Sequence, residues 1–336
     1  MLRKQVFCEL AFWDAFLESY KSFSSQGLRD DNSKAWFDLY DFICRSSIHL
    51  DCDPKTLQKA AEKDMLLARV WKSHTEGKTS IVFGDDGFNK LQQKLARNLL
   101  SVIFSAKDLS SSTSPYGIID ICPDREGNFG SFCFLFKDNG VALRDGQEWN
   151  WEDLASKIRL KYSNSMVIID NYIMKNERDN LFKILDILLP QRCAVQYDLT
   201  IIYLLEKRYN LTLEDAKRLG KEKERKVQRF LNENRRDLNL MIEFFGIPQD
   251  NNTHFHDRTI ITNNLWISSG AGFDLLTKDY LHFKVKKNHS TTINAIFPYF
   301  STEHIDWIDV GYQNVLADAK AILKEQSFTS HNRLLE

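Results

Sequence analysis

Apolar residues recur at helical spacing in the first part of the chain and in continuous runs in the second. Between Leu10 and Tyr20, the residues Phe12, Trp13, Phe16, Leu17 and Tyr20 form one stripe, which predicts a helix with one buried face. Trp36 to Cys44 repeats the spacing through Trp36, Phe37, Leu39, Tyr40 and Ile43. A third helix is predicted from Pro54 to Trp71, with Asp53 as its cap and Pro54 at its first position, where the missing proline N–H is no loss. Gly87 to Leu100 reads as a fourth. A short strand precedes Glu9, and beyond residue 100 the texture turns to strands at Ser101 to Phe104, Tyr116 to Cys122 and Ser131 to Phe136. A serine-rich loop at 110–114 and the turn Asp138-Asn139-Gly140 punctuate them. A helix over Trp149 to Ile158 then marks the domain boundary.

The second half has a clearer rhythm. Ser165-Met166-Val167-Ile168-Ile169 is apolar without alternation and closes on Asp170-Asn171, as a strand covered on both faces of a parallel or mixed sheet would be. Asn180 to Leu189 is an amphipathic helix ended by Pro190, and Asp198 to Leu204 is a second buried strand. Thr212 to Asn234 is a long helix in which Thr212 and Asp215 have the spacing of a capping box. Strands at Leu238 to Phe245 and Thr253 to Thr262 follow, and Asn263-Asn264 turns the chain into Leu265 to Ser268. Strands alternating with helices and ending in a hairpin predict an α/β layered sheet. The expected organisation is a mainly helical α+β domain over 1–148 and an α/β domain with flanking helices over 149–336.

Composition changes this picture little. Of the 336 residues, 43% are hydrophobic and 27% charged, and the formal net charge is -1. Bulk charge therefore selects no partner, and a polyanion could be held only by a local patch. The chain has no apolar run of the ~20 residues that would span a bilayer, and its first residues lack the apolar core of a signal peptide. A cytoplasmic setting is expected. Cys8, Cys44, Cys52, Cys122, Cys133 and Cys193 are scattered, with no Cys-x-x-Cys pair, so reduced structural cysteines are expected rather than ligands.

The richest segment chemically runs from Thr253 to Asn264. Side chains on a strand alternate faces, which would set His254, His256, Arg258, Ile260 and Thr262 on one face. An imidazole beside a guanidinium is unusual on a core strand, and the planar guanidinium fork matches phosphate oxygens. After the hairpin comes Ser268-Ser269-Gly270-Ala271-Gly272, whose hydroxyls and accessible backbone N–H groups suit an anion. Asp170, at the end of a buried strand, lies where α/β sheets usually place ligands. His254 and His256 could instead ligate a metal with Asp170, but no third strong ligand stands at useful spacing, so no metal and no cofactor are assigned.

His256-x-Arg258, followed by Asn263 and the Ser/Gly turn, resembles the His-x-Lys motif of the phospholipase D superfamily. The order Ile169-Asp170-Asn171-Tyr172-Ile173, Asn180-Leu181, His256-Asp257-Arg258, Asn264-Leu265-Trp266-Ile267 and Gly270-Ala271-Gly272-Phe273-Asp274 is similar, more particularly, to the C-terminal phospholipase D-like domain of animal midbody proteins that carry an MIT domain. The resemblance covers residues 164–298. It implies a phospholipase D-like layered sheet. It also implies a metal-independent phosphodiesterase or nuclease in which two motifs meet, one histidine attacking phosphorus and the other protonating the leaving oxygen. This chain shows one motif, so turnover of that kind implies a homodimer. His256 would be nucleophile or acid, Arg258 and Asn263 would hold phosphoryl oxygens, and His254, Asp170, Ser268, Ser269, Gly270 and Gly272 would line the phosphate site. Arg258 stands where the active pattern has lysine, and Asn263 where it has an acid. The midbody relatives imply the alternative, a non-catalytic module that binds nucleic acid, a nucleotide or anionic lipid.

Two further features are weaker. The helix from Thr212 carries Lys217, Arg218, Lys221, Lys223, Arg225, Lys226 and Arg229, readable as a solvated face or as a basic rim that attracts a polyanion. Glu9, Asp38, Asp41, Asp51, Asp53 and Asp108 near strand ends resemble, in topology alone, the magnesium site of PIN-like nucleases. Scattered surface carboxylates would look the same.

Overall fold

In a computed structural model of the chain, the described residues are 5–14, 16–17, 47–84, 101–107, 109, 114–122, 141–143, 163–171, 173–174, 181–205, 212–234, 237–248, 258–263, 265–269, 291–295 and 305–336. The chain is an α/β protein with two sheets, divided into Met1–Lys137 with Phe297–Trp307 and Asp138–Ile296 with Ile308–Glu336.

The first unit is built on β1 (Gln5–Cys8), β2 (Ser47–Leu50), β3 (Ile81–Phe83), β4 (Ser101–Phe104) and β5 (Ile119–Ile121). They form a sheet in the order β3-β2-β1-β4-β5, parallel throughout. The expectation was a mainly helical α+β domain; the described residues form an all-parallel sheet with flanking helices. Residues 10–14 and 16–17 are helical, and Phe12, Trp13, Phe16 and Leu17 are all buried. Phe12 packs on Phe104 of β4 at 5.1 Å between ring centroids. The long helix expected from Pro54 is two helices, α1 (Pro54–Ala61) and α2 (Met65–Thr75). Asp53 accepts from the N–H groups of Lys55 and Thr56 and so caps α1, as its sequence position suggested. Asp64 repeats that geometry on Leu66 and Leu67, which starts a second helix where one was expected to continue. The expected elements at 36–44, 87–100, 131–136 and 149–158 lie outside the described residues.

The second unit holds the mixed sheet. Its strands are β6 (Val141–Leu143), β7 (Ser165–Ile169), β8 (Tyr197–Leu205), β9 (Leu240–Pro248), β10 (Arg258–Thr262), β11 (Leu265–Ser269) and β12 (Thr291–Ala295). Their order is β6-β12-β11-β10-β7-β8-β9. β7, β8 and β9 run parallel, while β10, β11, β12 and β6 pair antiparallel. Between the parallel strands run α3 (Leu181–Leu188) and α4 (Leu213–Glu233). Thr212 and Asp215 close the capping box of α4 by reciprocal hydrogen bonds.

All of β7 is buried, as its unbroken apolar run requires. One face joins Met166, Ile168, Leu199, Ile201, Ile260 and Ile267 to the apolar sides of α3 and α4, and Phe182 stacks on Phe230 between those helices at 4.5 Å. The opposite face is covered in part by the last residues of the chain. Arg333 Nε donates to Asp198 at 2.7 Å, and buried Asn332 bonds to the backbone of β7 and β8. α5 (Ile305–Glu325) precedes that tail. Among the described residues, no helix is long and apolar enough to cross a membrane.

Candidate phosphate site

The site is assembled by strand register. In the antiparallel pairing of β10 with β7, Thr259 faces Ile169, so one step further Arg258 faces Asp170. In the pairing of β10 with β11, Arg258 faces Ser269. The Asp170 N–H donates to the Ile202 carbonyl at 3.1 Å, which extends the parallel ladder by one residue and sets Tyr203 next in line. Residues directly opposed on neighbouring strands share a face, with Cα atoms about 5 Å apart. Asp170, Arg258 and Ser269 therefore stand side by side. They lie at the carboxyl edge of β7, where the chain order reverses between its neighbours β8 and β10. That is the ligand position of open α/β sheets.

The chemistry of the row is mixed. Asp170 is 1% and Ser269 2% exposed, and Arg258 is half-buried. A carboxylate taken out of water needs a charged or donating neighbour, and the register supplies a guanidinium. A guanidinium presents a planar fork of N–H donors, the geometry that matches phosphoryl oxygens.

Two expected site residues are placed elsewhere. Ser268 faces Thr259, on the opposite side of the sheet from Arg258. Asn263 follows the far end of β10, roughly 17 Å from Arg258 at strand rise. Its side chain is buried and tied into the start of β7. Its Oδ1 accepts from the N–H groups of Asn164 and Ser165 at 2.9 and 3.0 Å, and its Nδ2 donates to Asn164 Oδ1 at 2.9 Å. The structure does not bring either side chain to Arg258. His254, His256, Gly270 and Gly272 lie outside the described residues.

Tyr203, in line with Asp170, gave no functional signal in the sequence because it sits inside an apolar strand. Its ring packs edge-on to Phe244, and burial pushes its phenol up to about 12.

In the first unit, several carboxylates gather at the carboxyl edge of the parallel sheet. Glu9 accepts from the Ala106 N–H at 2.8 Å and Asp51 from the Leu10 N–H at 2.6 Å. Asp120 holds Ser105 Oγ and the Leu109 N–H. Each of these three ties a loop, and Asp53 caps α1. Asp38, Asp41 and Asp108 lie outside the described residues. Among the described residues, no group of His, Cys, Asp or Glu is arranged to hold a metal ion, and Cys8, Cys52, Cys122 and Cys193 are not joined in disulfides. Burial raises the Cys8 thiol well above its ordinary range, with Asp51 adding to the shift, so Cys8 is no thiolate nucleophile. No protein-family model and no curated protein matches the chain.

Proposed function

We propose that the chain is a phospholipase D-like phosphodiester-recognising protein, a nuclease or phosphodiesterase that acts as a dimer through His256. The observation that supports this reading is the row Asp170, Arg258, Ser269 at the carboxyl edge of β7. It sets the guanidinium of the His256-x-Arg258 motif between a carboxylate and a hydroxyl at a ligand-binding edge. In the mechanism the resemblance implies, one His256 attacks phosphorus and forms a P–N bond as the P–O bond to the leaving group breaks. The His256 of a second copy protonates that oxygen and then draws the proton from the water that hydrolyses the phosphohistidine. Arg258 and the Ser269 hydroxyl offset the charge gathering on the phosphoryl oxygens.

The place of Asn263 favours a second reading. One of the groups expected to hold the phosphoryl oxygens is locked at the far end of β10, and Arg258 replaces the lysine of the active pattern. A site with fewer transition-state donors binds a phosphodiester without cleaving it. Incubating the full chain with labelled DNA and RNA, with and without EDTA, separates the two. Cleavage that survives chelation and is lost in His256→Ala supports the enzyme. Binding without cleavage, lost in Arg258→Ala, supports the module. A strictly monomeric protein rules out the two-histidine mechanism, cleavage abolished by EDTA transfers the activity to the carboxylates of the first unit, and absence of both binding and cleavage refutes both readings.

A further inference from the structure

The outer face of α4 carries a charge pattern that the fold does not need. Lys217, Arg218, Lys221, Arg225, Lys226 and Arg229 are exposed, against exposed Glu214, Glu222 and Glu233. The cations fall into two sets. Arg218 pairs with Asp215 at 3.1 Å and Lys226 with Glu222 at 3.6 Å, the ordinary neutralised pairs of a solvated helix. Lys217, Lys221, Arg225 and Arg229 follow one another at i, i+4 spacing, about 6 Å apart along the axis. Among the described residues, they stand in no ion pair. Like charges at that spacing repel, so the stripe weakens the helix that bears it. At its far end Arg225 and Arg229, with Gln228, Asn232 and Glu233, line an open hollow of about 490 Å³.

The direction of the helix gives the stripe a destination. β8 and β9 are parallel, so α4, which joins them, runs antiparallel to both. It begins at the carboxyl edge, where Asp170, Arg258 and Ser269 stand, and ends at the other. α4 packs against β9 so closely that a Cβ on Gly220 would lie 2.8 Å from the Phe244 carbonyl oxygen. The cations Lys217 and Lys221 are thus nearest the site edge, and Arg225 and Arg229 extend away from it.

We infer that this stripe is a docking track for the sugar–phosphate backbone of a nucleic acid, which it delivers to the carboxyl edge of β7. A membrane fits less well. A helix lying on a bilayer inserts its apolar side, whereas Ala216, Val227 and Leu231 of α4 are buried in the core. Among the described residues, the exposed large apolar side chains Met65, Val82 and Val310 lie on other elements. A polymer with a phosphate at every residue matches a run of cations that stand in no ion pair, the half-buried Glu224 near Lys221 and Arg225 being the carboxylate that acts on two of them, without any apolar contact. The inference deepens the phosphodiester reading by naming the polymer, and rests on it only for what lies at the end of the track.

The test is anisotropy of a fluorescent single-stranded oligonucleotide with the full chain over a range of salt concentrations. Removing the stripe pair (Lys221→Ala with Arg225→Ala) should weaken binding on the order of tenfold at low salt. The slope of log affinity against log salt should fall by about 0.7 per cation for a single strand, or about 0.9 for a duplex. Alanine at exposed helical positions preserves the helix. Removing the paired cations instead (Arg218→Ala with Lys226→Ala) should change affinity less than twofold. Equal effects of the two double variants overturn the track, as does binding to anionic phospholipid vesicles but not to the oligonucleotide. Stripe-dependent binding that ignores His256→Ala and Arg258→Ala leaves the track standing and removes the site. Binding that depends on Arg258 and ignores the stripe does the reverse.

Discussion

Asn332→Ala should cost the second unit about 2–4 kcal/mol, a value that follows from the hydrogen bonds it leaves open. Asn332 is 0% exposed. Its Nδ2 donates to the carbonyls of Met166 and Asp198 at 3.0 and 3.3 Å, and its Oδ1 accepts from Ser165 Oγ at 2.6 Å and the Leu334 N–H at 2.9 Å. Alanine strands two buried donors, the Ser165 hydroxyl and the Leu334 N–H, at about 1–3 kcal/mol each. The carbonyls have a second lone pair and lose less. Entry of water beside exposed His331 lowers the total to the stated range. Urea unfolding followed by circular dichroism should show a lower midpoint at unchanged m-value, while His331→Ala, which removes only an exposed side chain, should leave the midpoint in place. Adding Ser165→Ala to the variant should restore part of the loss, because it removes one of the stranded donors. A loss below about 0.5 kcal/mol, the size of an ordinary surface substitution, would refute the claim that the tail locks the amino ends of β7 and β8.

Two further outcomes follow from close packing around β9. Tyr203 is 4% exposed and, among the described residues, its hydroxyl has no hydrogen-bond partner, so Tyr203→Phe should leave stability unchanged or raise it by about 1 kcal/mol at neutral pH. Its phenol, held up to about 12 by burial, favours folding fully below the ordinary tyrosine value of about 10 and loses that contribution as pH rises from there to 12. Thermal melts should therefore fall more steeply above pH ~10 for the natural chain than for Tyr203→Phe, by about 1.4 kcal/mol per pH unit; parallel curves would show that Tyr203 does not carry the shift. Gly220→Ala raises helix propensity by about 1 kcal/mol, yet a Cβ there meets the Phe244 carbonyl at 2.8 Å. Overpacking of this kind costs about 1–3 kcal/mol, so the variant should be no more stable than the natural chain by urea titration, and clear stabilisation would refute the contact.

Elements with strong local signals were legible in the sequence. The unbroken run of β7 implied burial on both faces, Asp53-Pro54 marked the start of α1, and Thr212 with Asp215 marked that of α4. The parallel sheet of the first unit was mostly not legible. Strands as short as Ser47–Leu50 and Ile81–Phe83 carry barely two turns of alternation, and exposed Val82 blurs even that. Tyr116 to Cys122 was expected as one strand, but Tyr116 ends a 3-10 turn at Ser114–Tyr116 and Gly117 takes a φ of 72°, outside the strand region, so the strand spans Ile119–Ile121.

The same division applies to the candidate site. Residue types with phosphate chemistry can be picked from a sequence, but which of them share a face is decided by register. Ser268 and Ser269 are equivalent in the sequence, yet only Ser269 stands beside Arg258, because successive strand residues point to opposite faces and a one-residue slip would exchange them. Asn263 follows Arg258 closely along the chain, yet β10 separates them by its whole length, while Asp170, distant along the chain, is brought opposite Arg258 by the pairing of β10 with β7. A site made by adjacent strands selects its members across the sheet rather than along the chain. For that reason Asp170 and Ser269, rather than Asn263, are the side chains whose replacement should alter what Arg258 can hold.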